Sequence, residues 1–144
     1  MKQKNADDIM YDWETKKEYD YRMKTQKIIG SAKTLLNTIA TANKNDKILT
    51  MNNGFNEIVE YVKVIHVPSL YYNVNKFLLK AMESYKISFD LLKESEKKDT
   101  EKIVMSGVYI REGNAYMELS RIDIYKMVSN KQKESSGENN VKIR

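Results

Sequence analysis

Apolar side chains recur every three or four residues in four stretches of the chain. In the first, Tyr21, Thr25, Ile28, Ala32, Leu35, Ile39 and Ala42 follow one another at steps of four and three, with Ile29 and Leu36 beside them. This spacing places them on one face of a helix that packs against a core. No proline interrupts the chain from about Asn5 to Asn43, and Asn5 with Asp8 resembles a cap with acid in the first turn. The pattern therefore predicts a long first helix of about 38 residues, roughly 57 Å at 1.5 Å per residue, with Gly30-Ser31 as the place for a kink. Its first half differs from its second. Met10, Trp13 and Tyr21 stand there among Glu14, Lys16, Lys17, Glu18, Asp20, Arg22 and Lys24. Glu18 with Arg22 and Asp20 with Lys24 are favourable i,i+4 pairs, so that half is read as helical but mostly solvated.

Asn43-Lys44-Asn45-Asp46 reads as a turn. Ile48, Met51, Phe55, Ile58, Val62 and Ile65 then form the most regular heptad of the sequence, which predicts a second helix that frays before Pro68. A third helix, about 69–94, carries Tyr71, Val74, Leu78, Ala81, Tyr85 and Leu92 at heptad spacing. Its apolar face is the widest, so it is expected at the centre of the core. A charge-dense link, Lys93 to Lys102, leads to a cap at Asp99 or Thr100 and a fourth helix ending near Ser129. The stripe read for that helix is Val104, Val108, Ala115, Leu119 and Ile122. Gly107 and Gly113 weaken it by roughly 1 kcal/mol each against Ala, and they offer places for close helix contact. From Asn130 onward the chain is polar and aperiodic, and a disordered tail is expected. The fold expected is all-α: an antiparallel up-down four-helix bundle over 1–129, with a flexible tail over 130–144. Leu35, Phe55, Ile58, Val62, Leu78, Ala81, Leu119 and Ile122 are its expected core.

Composition narrows the chemistry. The 144 residues include 5 Gly and 1 Pro, too little turn material for a β-sandwich or barrel. There is no Cys, which excludes disulfides, thiolate metal sites and thiol nucleophiles. His66 is the one histidine and sits at a helix end, where it is read as meeting terminal carbonyls. Glu57 and Glu60 read as a solvated pair, and neither a phosphate loop nor a nucleophile elbow is present. No catalytic residue, metal ligand or cofactor is expected, so the protein is read as a non-enzyme. The net charge is +5, but only four of the 25 basic residues are Arg. Arg is the residue that forks onto phosphates and base edges, so specific nucleic-acid binding is not expected. The Lys-, Asn- and Tyr-rich composition hints at a low-GC bacterium, its phages or its mobile elements.

The aromatic residues Tyr11, Trp13, Tyr19 and Tyr21 lie where the stripe gives little reason for all of them. Tyr and Trp are enriched in binding hot spots. These four, with Tyr71 and Tyr72 at the turn between helices 2 and 3, are the candidate partner-binding residues. The alternative is that they pack on the ends of helices 2 and 3.

Residues 48–92 resemble helical-bundle domains of small Gram-positive bacterial lipoproteins. The residues that carry the resemblance are Ile58-x-x-x-Val62-x-x-Ile65, Pro68, Tyr72, Ala81-x-x-x-Tyr85 and Leu91-Leu92. It implies a non-enzymatic domain held outside the cytoplasm by a lipid anchor, of a kind that serves in surface exclusion or immunity of mobile elements. It transfers no functional residue. The lipobox and its cysteine are missing here, so the resemblance implies a mature domain with Met1 in place of upstream sequence. Otherwise the protein is cytoplasmic, since its N-terminus lacks the apolar core of a signal peptide. The function expected is a protein–protein interaction module whose partner is another protein or a second copy of itself. The alternative is a small cytoplasmic regulator that meets nucleic acid or another anionic partner through its lysines. Far-UV circular dichroism should report more than half helix, well above the third of an ordinary domain.

Overall fold

The computed structural model describes residues 9–39, 45–95 and 99–142. Over these the protein is all-α: α1 (Lys16–Ile39), α2 (Asn45–Val64), α3 (Tyr72–Glu94) and α4 (Thr100–Lys142), with a 3-10 turn at Ser69–Tyr71 leading into α3. The expected cap at Asn5 and Asp8, the turn residues Asn43 and Lys44, Ala42 and residues 96–98 of the charged link lie outside the described residues.

α1 has 24 residues, about twice the average helix. It starts later than the apolar pattern predicts because Thr15 and Glu18 cap it. The Thr15 hydroxyl accepts from the Glu18 amide at 3.1 Å, and the Glu18 carboxylate accepts from the Thr15 amide at 2.9 Å. This reciprocal box satisfies two amide groups that the first turn leaves without helical partners. α1 then passes through Gly30 without a break. At the start of α4, Asp99 accepts from the Lys102 amide at 3.2 Å, so it is the cap expected there.

The helices alternate in direction. Asn52 of α2 donates to Asp90 of α3, while Leu35 of α1 lies over Gly54 of α2. Tyr21, near the start of α1, donates to Asn75 near the start of α3. Ser88 of α3 donates to the Ser106 carbonyl of α4, and Ser120, further along α4, donates to the carbonyl of Val74. α3 is the central helix, as its wide apolar face predicts. Its buried Leu78, Ala81, Met82, Tyr85 and Phe89 meet Ile28 and Ala32 of α1 and Met51, Phe55, Val59 and Val62 of α2. Phe55 holds this core together: it stacks on Phe89 with centroids 5.3 Å apart and tilts against Tyr85 at 5.2 Å. A smaller core of Tyr21, Tyr71 and Val74 closes the end of the bundle where the 3-10 turn meets α1.

α4 departs from its expected phase. Leu119 and Ile122, expected in the core, are exposed, as are Val104, Val108 and Ala115. Among the described side chains, the buried positions of this helix are Ser106, Gly113, Met117 and Ser120. The cause is close packing. A Cβ on Gly113 would stand only 2.6 Å from the Tyr85 ring, so the two helices meet through the small residues. The serines then satisfy their hydroxyls on α3 or on α4's own carbonyls. The helix also continues past Ser129 to Lys142. From Asn130 to Ser135 every side chain except that of Lys131 is exposed, so the polar run adds helical turns without adding core.

Phe55→Ala and Leu78→Ala should each destabilise the protein by about 2–5 kcal/mol, the sum of lost transfer energy and a residual cavity. Leu119→Ala and Ile122→Ala, measured in dilute protein, should stay within about 0.5 kcal/mol of wild type. Urea denaturation of the four variants checks both statements.

Candidate functional site

Five of the six aromatic residues singled out in the sequence come together at one place, around an ion pair. Residues 9–15 are not helical; they form a hook that folds back on α1. The Glu14 amide donates to the Tyr11 carbonyl at 3.0 Å, and the Tyr11 amide donates to the Glu14 carboxylate at 3.0 Å. Arg22, two turns into α1, reaches into this hook. Its Nε donates to Glu14 Oε2 at 2.7 Å and its Nη2 to Glu14 Oε1 at 2.9 Å and to the Ile9 carbonyl at 2.6 Å. Both side chains are buried. The Tyr71 hydroxyl adds a fourth donor to the carboxylate at 3.4 Å.

The aromatic rings wall this pair off from water. Tyr11 stacks on Trp13 with centroids 5.4 Å apart, and the Arg22 guanidinium lies 4.4 Å from the Tyr11 centroid and 5.6 Å from that of Tyr19. Beneath them Tyr21 stacks on Tyr71 at 5.0 Å. Burial disfavours the Arg22 cation, but the bonds and charge of Glu14 outweigh it and hold its pKa above the ordinary arginine value. Burial pushes the Tyr21 and Tyr85 phenols up to about 12, and Tyr71 is raised by burial and by the neighbouring Glu14 carboxylate.

This arrangement corrects the expectation of a partner-facing patch at two positions. Tyr21 and Tyr71 are fully buried, so no partner reaches their rings. Tyr11, Trp13 and Tyr19 are half-buried in the hook, while Tyr72 is 68% exposed and stands apart from the cluster. The Trp13 indole N–H is buried and finds no acceptor among the described residues. Glu14 and Arg22, read as members of a solvated charged face, are instead the centre of the site.

The second feature is the outward side of α4, whose apolar residues the sequence assigned to the core. Val104 is 59% exposed, Leu119 43%, Ile122 38% and Tyr125 75%. Val108 and Ala115 are exposed on the same side. These positions recur at helical spacing over about six turns, in two apolar stretches, Val104 to Val108 and Ala115 to Tyr125, with exposed Arg111 and Glu112 between them. His66, Glu57 and Glu60 are exposed, and among the described residues no group of three or more His, Asp or Glu gathers to hold a metal ion. A cleft of about 320 Å³ opens between Leu70 and Val74 on one side and Asp123, Lys126 and Met127 on the other. No described helix is long and apolar enough to cross a membrane.

Glu14→Gln and Arg22→Met should each destabilise the protein by about 3–5 kcal/mol, because each leaves the other group buried without its partner. The double variant should cost clearly less than the sum, as a double-mutant cycle by denaturant unfolding will read. The raised phenols set a window at alkaline pH. An unfolded tyrosine ionises near 10, whereas Tyr21 and Tyr85 hold their protons to about 12. Stability should therefore be flat with respect to these groups below pH 10 and fall as pH rises from 10 to 12. Unfolding midpoints across that range, with phenolate absorbance as the second signal, check it.

No curated protein and no solved structure matches the chain. Residues 9–120 match a family model described as a domain of unknown function (DUF7018), a span that takes in the hook, α1 to α3 and α4 as far as Ser120. The chain belongs to the DUF7018 family.

Proposed function

We propose that this protein is a non-catalytic interaction module that acts by protein–protein contact through the outward face of α4. The observation that carries the reading is the strip of Val104, Val108, Leu119, Ile122 and Tyr125, exposed along a helix whose other side is already packed on α3. Exposed apolar side chains gathered on one helix face are costly to leave in water and mark contact sites in folded proteins. Tyr11, Trp13 and Tyr19, half-buried around Glu14 and Arg22, offer a second surface for such a contact. Exposed Tyr72 is the one singled-out aromatic that stands clear of the hook.

The resemblance of residues 48–92 to lipoprotein bundle domains supports an extracytoplasmic setting, with a part in exclusion or immunity for a phage or mobile element. Exposed lysines sit on every helix, such as Lys27, Lys63, Lys76 and Lys126, and this scatter favours a protein partner over nucleic acid. The test is cross-linking in the native cell with wild type and with Leu119→Glu plus Ile122→Glu. The variant should keep its melting temperature yet lose the cross-linked protein. An unchanged cross-linking pattern would overturn the reading. A submicromolar complex of the purified protein with nucleic acid, with a steep salt slope, would establish the alternative in its place.

A further inference from the structure

We infer that the occupant of the outward face of α4 is a second copy of this chain, lying antiparallel across a two-fold axis at Ala115. This rests on the reading that the face is a protein-contact surface and adds the identity and direction of the partner.

Charge allows a second copy on this face. The chain carries a net charge of +5, so two copies repel over most of their surface. From Thr100 to Ser129, however, four basic residues are balanced by four acids. The excess lies outside this stretch, so two copies approach along it without net repulsion. The strip is about 32 Å long from Val104 to Tyr125 at 1.5 Å per residue, with Arg111 and Glu112 the charged residues between Val108 and Ala115. Ala115, midway along it, is its smallest side chain and lets two helix axes come close.

Direction follows from two charged residues beside the strip. At 100° per residue, Arg111 and Glu118 fall on the same flank of Ala115, four residues before it and three after it. A two-fold axis through Ala115 keeps each flank on its own side and reverses the chain. Arg111 of each copy then faces Glu118 of the other, twice per dimer, while Val108 of each meets Ile122 of the other. Glu118 also bonds Arg121 on its own helix at 2.6 Å and 3.1 Å, so in the dimer its carboxylate is shared between Arg121 and Arg111 of the other copy. Such a two-fold contact is closed and needs no second surface.

The chain has no Cys, so introduced cysteines report without background. Under mild oxidation Ala115→Cys should give a covalent dimer. A mixture of Val108→Cys and Ile122→Cys proteins should link to each other, whereas neither should link to itself, because equivalent sites lie about 20 Å apart. Gly30→Cys, on open α1 surface, is the control that should stay monomeric. By sedimentation, Arg111→Glu should weaken the dimer about tenfold, and adding Glu118→Arg should restore it. Self-linking of Val108→Cys would overturn the antiparallel arrangement. A protein that stays monomeric and links at none of these sites would overturn the second copy as the partner. In that case, loss of a cellular cross-link in the Leu119→Glu plus Ile122→Glu variant would still support a contact surface for a different protein.

Discussion

The contact between Gly113 and the Tyr85 ring sets the rotation of α4, and much of the structure depends on it. With no side chain at 113, the helix backbone lies close against the ring, where a Cβ would come within 2.6 Å of it. The ring has little room to yield. It packs against Phe55 of α2, and its hydroxyl donates to Asn114 at 2.5 Å. Once this approach is fixed, the residues of α4 that share the Gly113 side are those that fit a narrow gap. Ser106 receives the Ser88 hydroxyl on its carbonyl, Ser120 donates to Val74, and Met117 fills the remaining space. The larger apolar residues, on the opposite side of the same helix, are thereby turned toward solvent.

The hook at the start of α1 solves a different problem. A buried carboxylate and guanidinium lose hydration that only near-complete hydrogen bonding offsets. Glu14 receives donors from Arg22, the Tyr11 amide and the Tyr71 hydroxyl, and Arg22 also meets the Ile9 carbonyl. The chain before the helix is thus tied both to α1 and to the turn that opens α3. The aromatic density of this region follows from that task. Rings that can stack on a guanidinium and on one another exclude water from the pair.

Much of the fold was legible in residue spacing. Most of the stripes of α1, α2 and α3 are buried, from Tyr21 through Ala32, Met51 through Val62 and Val74 through Phe89, but Leu35 and Ile58, expected in the core, are only partly buried against it. Apolar spacing finds a core face where the helices stand far enough apart for large side chains between them. It failed on α4 because close packing there selects Gly and Ser, which carry no hydrophobic signal, while a second apolar stripe occupies the outer side. Gly113, noted as a place for close contact, was the available clue. The start of α1 was also readable, since Thr15-x-x-Glu18 is a capping box, but the absence of Pro and Gly upstream pointed to an earlier start. The Glu14–Arg22 pair was not legible: the two residues stand eight apart, a spacing that belongs to no single helical turn, and they meet only because the hook reverses.

The most direct test of this account compares two alanine substitutions on α4. Gly107 is exposed with nothing within 4 Å of a built Cβ, so Gly107→Ala should raise the melting temperature by relieving a helix penalty of up to about 1 kcal/mol. Gly113→Ala brings the same gain in propensity but forces a methyl into the Tyr85 ring, an overpacking cost of about 1–3 kcal/mol, and should lower the melting temperature. Opposite signs for the two variants are the result predicted. A Gly113→Ala protein at least as stable as Gly107→Ala would contradict it, and would mean that α4 packs on α3 through Val108, Ala115, Leu119 and Ile122 instead.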